Sequence, residues 1–269
     1  NYVELRQELA NAKFASKSDC EVALHLYGRD GDGFANRLRG MYAIAIHDPG
    51  ERRLLLARDP FGIKQLYYTE GSFGFAFASE SQALIASGIV AADVRSEAAM
   101  ELLQLQFTTG RETIYPGIHR VLPGETLIVE SGRIARRLRR AALPEGPPEE
   151  MDEATALARL EAALMDSVEI HQRSDVPYGM FLSGGIDSSA VIALMAKLND
   201  HPVRAFTVGF SDTDAVDERD HARAVAAAVG AEHVEIDFTE QDFWKTLPQI
   251  ARVMDDPVAD YAELPTYKL

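Results

Sequence analysis

Between Met41 and Ser79, short apolar runs alternate with turn residues: GMYAIAIHD, then Pro49-Gly50, RRLLLARD, and PFGIKQLYYTEGSFGFAFASE. Runs of this length interrupted by Pro and Gly predict strands joined by tight turns, hence an antiparallel sheet. Ahead of them, DCEVALHLYGRDGDGFANRL spaces Val22, Leu24, Leu26 and Tyr27, then Phe34 and Leu38, in a manner better suited to helices. A further strand-and-turn pattern, IYPGIHRVLPGETLIVESGRI, closes this half. ALPEGPPEE, Ala142 to Glu150, then concentrates Pro, Gly and Glu with almost nothing to bury, which marks a linker.

After the linker the pattern changes. Asp152 can cap a helix with Leu157, Leu160, Leu164 and Val168 on one face, the three-and-four spacing expected of a core-facing stripe. A strand at Tyr178 to Leu182, a helix to about Leu198, the strand RAFTVGF, the helix DHARAVAAAVG stopped by Gly230 and the strand HVEIDF follow. Strand and helix in alternation predict a parallel sheet with crossover helices. At 269 residues the chain is long enough for two domains. We place them at 1–143 and 151–269, with a linker at 144–150.

Hydrophobic residues at 46% and charged residues at 26% fit a soluble globular chain, with no apolar segment of membrane-spanning length. The start, NYVELRQELANAKF, lacks the basic, apolar and small-residue regions of a signal peptide, so a cytoplasmic location with no membrane partner is expected. The single cysteine, Cys20, excludes an internal disulfide framework and is expected to be a small buried hydrophobe. A formal charge of −15 argues against nucleic acid. The basic run RIARRLRR, Arg133 to Arg140, reads as a solvated strand or linker face. His171, His201, His221 and His233 show no metal-binding spacing, and Trp244 with Phe243 and Leu247 reads as helix packing. The chain opens at Asn1 inside a helix start and ends within an apolar-periodic run, so it is expected to be truncated at both ends.

The stretch YGMFLSGGIDSSAVIALM is the strongest candidate for chemistry. It lies where the first strand of the second half turns into its helix, the edge at which open parallel sheets bind ligands. Gly184 and Gly185 let the backbone approach a ligand and adopt positive φ angles that expose successive N–H groups, and the helix start adds further donors. Ser183, Ser188 and Ser189 offer hydroxyls to phosphate oxygens. Asp187 would repel a phosphate unless a cation lay between them, which implies Mg²⁺. A Walker loop would need a lysine and a dinucleotide fingerprint a third glycine, and both are missing here. A tight strand-to-helix turn with a serine cap is the plain alternative.

FLSGGIDSS resembles the signature of the ATP pyrophosphatase, or PP-loop, family, in which the anion is the β,γ-pyrophosphate of ATP. SDCEVALHLYGRDGDGFANRLRGMYAIAIHD, LLLARDPFGIKQLYY and FAFASESQAL resemble the glutaminase domain of glutamine-hydrolysing asparagine synthetases, and FTVGF, HARAVAAAVGAEHVEIDF and DDPVADYAELPTY their synthetase domain. The resemblance implies a two-domain α+β and α/β fold. Its first part would be a partial Ntn-type αββα glutaminase sandwich. Its second would be a partial Rossmann-like parallel α/β PP-loop domain of the adenine nucleotide α-hydrolase kind.

By the same resemblance, the intact parent converts aspartate, glutamine and ATP to asparagine, glutamate, AMP and pyrophosphate through β-aspartyl-AMP, with ATP and Mg²⁺ required. Leu182, Ser183, Gly184, Gly185, Asp187, Ser188, Ser189 and Val208 match the ATP-binding positions, with Asp187 on the metal and Leu182 and Val208 beside adenine. Asp19 matches the aspartate that holds the amino group of glutamine; without the match it reads as a helix cap. The partners implied are these small molecules and a possible homodimer. The family's N-terminal cysteine nucleophile would lie upstream of Asn1 and its second acidic glycine-rich signature downstream, so no catalytic residue is expected here and the fragment is expected to be inactive. Gln65 stands where the family motif has proline. Another amidotransferase on the same plan (β-lactam synthetase-like or polysaccharide-modifying) and a non-catalytic nucleotide-binding homologue stay open as alternatives.

Overall fold

The computed structural model describes residues 1–211, 217–260 and 262–268. These divide into two units, Asn1–Pro147 with Met254–Ala259, and Pro148–Val253 with Asp260–Leu269. In chain order the first unit forms α1 (Tyr2–Glu8), α2 (Cys20–Asp30), a 3₁₀ turn (Gly31–Arg37), β1 (Ala43–Asp48), β2 (Arg53–Arg58), β3 (Tyr67–Gly71), β4 (Gly74–Ala78), α3 (Ser81–Ala86), α4 (Ser96–Leu105), β5 (His119–Arg120), β6 (Glu125–Glu130) and β7 (Arg133–Arg139). One antiparallel sheet runs β1-β2-β6-β7 and a second β4-β3-β5.

A strand sends alternate side chains to opposite faces, and here both faces of the larger sheet are covered. Leu55 and Ala57 of β2 and Ile128 of β6 pack with Leu5, Val22, Leu26 and Phe34 from the helical segments. Leu56 and Leu127, one residue out of phase, pack with Leu66, Tyr68 and Val121. On the other face of the smaller sheet, Tyr67 meets Leu84 of α3 and Ile118. Burial on both faces is why β2 reads as a continuous apolar run, RLLLAR, and not as an alternation.

In α2 the helical period buries Val22, Ala23 and Leu26 and leaves Leu24 exposed. Cys20 is also exposed, against expectation: it is the first residue of α2 and stands off the face that Val22 and Leu26 turn inward. The arginine run forms β7, solvated as anticipated, with Arg133 on Glu70, Arg136 on Asp32 and Arg137 on Glu125. Met254–Ala259 completes this unit. Asp255 accepts the N–H groups of Ser81 and Gln82 at the start of α3, and Asp256 takes the Arg120 guanidinium at 2.7 Å and the Tyr67 hydroxyl at 3.1 Å.

The second unit contains α5 (Glu153–His171), β8 (Gly179–Phe181), α6 (Ile186–Leu198), β9 (Arg204–Phe210), α7 (Arg219–Val229), β10 (Glu232–Phe238), α8 (Glu240–Val253) and α9 (Glu263–Lys268). β10, β9 and β8 form a parallel sheet in that order. Gly230 ends α7 in the left-handed conformation, at φ 70°, that favours glycine. The core gathers Leu182, Ile192, Met195, Val203, Ala205, Ala222 and Ala226. Asp152 caps α5 as expected, accepting the Thr155 N–H at 2.7 Å. The leucine stripe does not face a core: only Val168, near the end of α5, packs against the cluster, while Leu157, Leu160 and Leu164 are exposed. Trp244 likewise lies exposed on α8, edge-on to Phe243, with its indole N–H on Glu240. Among the described residues no helix is long and apolar enough to cross a membrane.

Candidate functional site

β8 ends at Phe181, and the chain turns through Ser183–Gly185 into α6 beside the carboxyl end of β9. The register Phe181↔Phe206 puts Ser183 level with Val208 of β9. Leu182 is 1% exposed, so its side chain belongs to the core and only its main chain borders the open edge. Ile186, by contrast, is 84% exposed at the mouth of the turn.

The two glycines act differently from the expected nest. Neither adopts positive φ, and Gly185 is extended at φ −72°, ψ 158°. What Gly184 supplies is space: a Cβ there would sit 2.6 Å from the Cβ of His221 in the first turn of α7. The free N–H groups come from the helix itself. The first α-helical bond of α6 is from Ser189 to the carbonyl of Gly185, at 3.1 Å, so Ile186, Asp187 and Ser188 precede it with outward donors. The serine hydroxyls are engaged locally. Ser188 and Ser189 donate to the Gly185 carbonyl at 3.2 and 2.7 Å, and Ser183 and Ser188 share a hydrogen bond of 2.9 Å. Asp187 is exposed in the first turn of α6, and among the described residues its carboxylate takes no hydrogen bond or ion pair. An unpaired carboxylate beside a row of N–H donors fits a phosphate–cation pair: the donors meet anionic oxygens and the acid meets the cation.

Asp19, in the first unit, caps α2 by accepting the N–H of Cys20 at 2.9 Å, and it is exposed. Sequence reasoning missed the residues that hold the segment before it. Arg6 donates to the carbonyls of Ser16 at 2.7 Å and Ser18 at 3.2 Å, and its guanidinium lies 3.9 Å over the ring of Phe14. Glu21 accepts the Ser16 hydroxyl at 2.7 Å and the N–H groups of Ala15 and Ser16. The acidic residue two positions after a helix cap was the available signal, since a carboxylate there can fold back on the preceding loop.

These hydrogen bonds, that of the Ser16 hydroxyl foremost, pull the Glu21 carboxyl from an ordinary 4.5 down to about 2. A lowered native pKa means that the loop anchoring is complete above pH 4.5 and is lost as the pH falls toward 2. Carbon-detected NMR at pH 4 should therefore find the Glu21 carboxyl still ionised. A group half protonated at that pH would contradict the assigned bonds.

A second pair of missed residues lies behind the α6 turn. Thr207 of β9, 3% exposed, donates to the carbonyl of Leu182 at 2.6 Å and also contacts Nε2 of His233 at 2.8 Å. No local pattern reveals this pair, because the three residues meet only across the parallel sheet.

Residues 1–139 match the family described as Glutamine amidotransferase domain, and residues 159–269 match Asparagine synthase. The chain is 37% identical over 273 residues to asparagine synthetase [glutamine-hydrolyzing] 1 of Bacillus subtilis, covering 99% of this chain and 42% of that protein. A putative asparagine synthetase [glutamine-hydrolyzing] of Mycobacterium bovis is 37% identical over 276 residues, with coverages of 99% and 42%. A putative asparagine synthetase [glutamine-hydrolyzing] 2 of Methanocaldococcus jannaschii is 30% identical over 273 residues, covering all of this chain and 52% of the relative. The chain thus spans about half or less of the length of these relatives. Carrying an amidotransferase domain followed by an asparagine synthase domain, the chain belongs to the family that includes the glutamine-hydrolysing asparagine synthetases.

Proposed function

We propose that this chain is the part of a glutamine-hydrolysing asparagine synthetase that holds the aspartate for the amino group of glutamine and the pyrophosphate loop of its ATP site. The observation that carries the reading is the Ser183–Ser189 turn, with its unpaired acid and outward N–H donors, in a chain that matches both domain families in order. The domain limits proposed are 1–143 for glutaminase, 144–150 for the linker and 151–269 for synthetase. Helical and sheet layers separated by three apolar clusters support an Ntn-type αββα first domain, and the parallel β10-β9-β8 sheet supports a Rossmann-like PP-loop second domain.

In this reading ATP, aspartate and glutamine are the substrates, and the reaction forms asparagine by way of β-aspartyl-AMP. A carboxylate is a poor electrophile until its oxygen joins a good leaving group, and that is what adenylation supplies. The N–H groups of Ile186, Asp187 and Ser188 bind the pyrophosphate oxygens at the positive end of α6. The main chain at Leu182 and Val208 lines the edge taken by adenine. Magnesium, when bound, offsets the charge of the phosphate oxygens, and Asp187 is the residue that would hold it. Asp19 binds the α-ammonium of glutamine through its exposed carboxylate, one oxygen of which accepts the Cys20 N–H of its own helix.

The test uses the full-length enzyme. Aspartate is expected to drive ATP–pyrophosphate exchange, and Asp187→Ala is expected to reduce that exchange by at least about 100-fold, as for loss of a metal-ligating carboxylate. Glutamine hydrolysis is expected to stay within about twofold of the parent. Exchange driven by a different acid and not by aspartate, or exchange surviving in Asp187→Ala, would overturn the assignment.

A further inference from the structure

We propose that Thr207 and His233 are positioning residues of the nucleotide site, which together fix the carbonyl of Leu182 and so the point at which the chain leaves β8 for Ser183. The inference rests on reading Ser183–Ser189 as the ATP site and adds to it two residues outside the loop.

The polar groups fall into two bonded sets that stand side by side, Leu182–Thr207–His233 and Glu235–Arg223–Asp220. The Thr207 hydroxyl has a single proton, and a bond of 2.6 Å to the Leu182 carbonyl, which can only accept, uses it. The 2.8 Å contact with His233 must then run the other way, so Nε2 of His233 carries a proton and donates it to Oγ1 of Thr207. Nδ1 of the same ring lies 3.5 Å from Glu235. Glu235 is gripped through both oxygens by Arg223, at 2.8 and 2.9 Å, and Arg223 also reaches Asp220 at 2.7 Å in the first turn of α7. The sheet register makes the first set possible: in parallel pairing His233 stands opposite Ala205 and Glu235 opposite Thr207, so His233 and Thr207 are near neighbours on one face.

The effect of the first set falls on one residue. The N–H of Leu182 is already bonded to the carbonyl of Phe206 at 2.8 Å, and its side chain is locked in the core. With the carbonyl held as well, Leu182 has both main-chain polar groups bonded and its side chain buried, and the loop starts from a fixed point. A valine at 207 would fill the same volume without burying a hydroxyl. A buried hydroxyl raises the energy of the core unless it is bonded, so its two bonds are the reason for its presence. A pre-set loop donates to pyrophosphate without first being ordered, which improves ATP affinity and leaves the chemical step unchanged.

The experiment measures aspartate-dependent ATP–pyrophosphate exchange in the full-length enzyme. His233→Ala and Thr207→Val are each expected to raise KM for ATP by roughly 3- to 10-fold, the loss of one net hydrogen bond, with kcat and glutamine hydrolysis within about twofold of the parent. His233→Gln, whose amide nitrogen donates as Nε2 does, is expected to recover most of the rise. Unchanged KM in Thr207→Val, which keeps the shape of the core, would overturn the proposal, as would a His233→Gln variant no better than His233→Ala. Asp187→Ala serves as the control: if it too leaves exchange intact, the ATP site itself is misplaced, whereas its loss of exchange beside a normal Thr207→Val rejects the positioning role alone.

Discussion

Gly184→Ala is expected to abolish ATP–pyrophosphate exchange and lower Tm by several degrees, while Gly185→Ala leaves both near the parent values. The difference is one of space. A Cβ at Gly184 would lie 2.6 Å from Cβ and 3.3 Å from Cγ of His221, and 3.5 Å from the carbonyl of Glu218. A Cβ cannot swing aside, so either the first turn of α7 or the loop must move. Overpacking of this kind costs about 1–3 kcal/mol, and the movement displaces the N–H groups that face the ligand. At Gly185 a Cβ meets only the Ser183 hydroxyl, at 3.2 Å, and that group needs to give by only a few tenths of an ångström. The backbone of Gly185 at φ −72° is open to alanine. Exchange assays with thermal unfolding on the two full-length variants decide the matter, and equal losses at both glycines would contradict the packing argument.

The same contact explains how two helix starts come to flank one loop. α6 begins at the loop, and α7 is drawn against it because Gly184 has no side chain to keep it away. Arg219, in the first turn of α7, is tied to Asp217 at 2.8 Å and to Asp237 of β10 at 3.3 Å, which fixes the helix start to the sheet. The positive end of α7 is thereby held beside that of α6.

Much of the second unit was legible from local pattern. β9 coincides with RAFTVGF, and α7 stops where Gly230 predicts, because a period of two, a period of 3.6 and a helix-ending glycine are all written in consecutive residues. The signature loop was legible because few residue sets place glycines, an acid and serines at a strand-to-helix turn. The role of Gly184 was not. Sequence shows a missing side chain but not the helix that fills its place. Thr207 and His233 were obscure for the same reason, since Thr207 bonds a carbonyl just past the end of β8 and His233 reaches Thr207 from β10. Leu157, Leu160 and Leu164 show the opposite failure: the stripe has the correct helical spacing, yet spacing states which residues share a face and not whether another element covers it. DDPVADYAELPTY stood out as a family resemblance, but the bonds made by Asp255 and Asp256 did not, because the groups that bind them lie more than a hundred residues earlier in the chain.

The first unit carries the largest expected stability effect. Glu125, 3% exposed at the start of β6, receives Arg111 through two bonds of 2.7 and 2.9 Å and the N–H of Leu122 at 2.9 Å. Burial works against the charge on Glu125, yet the bonds from Arg111 and Leu122 outweigh it and hold the carboxyl below its ordinary range. Glu125→Ala is expected to destabilise folding by about 3 kcal/mol, because it leaves the Leu122 N–H without its acceptor and the Arg111 guanidinium with only the Tyr68 hydroxyl and the Arg120 carbonyl. Replacing both partners by leucine is expected to recover much of that loss, since the cost lies in the unpaired charge more than in the missing attraction. Chemical denaturation of the parent, the single variant and the double variant measures both effects. The pH dependence carries an independent sign. With the native pKa lowered, the contribution of Glu125 is complete above 4.5 and declines below it, so the gap between parent and Glu125→Ala should narrow as the pH drops from 5 toward 3. A gap that widened over that range would place the stabilising charge elsewhere.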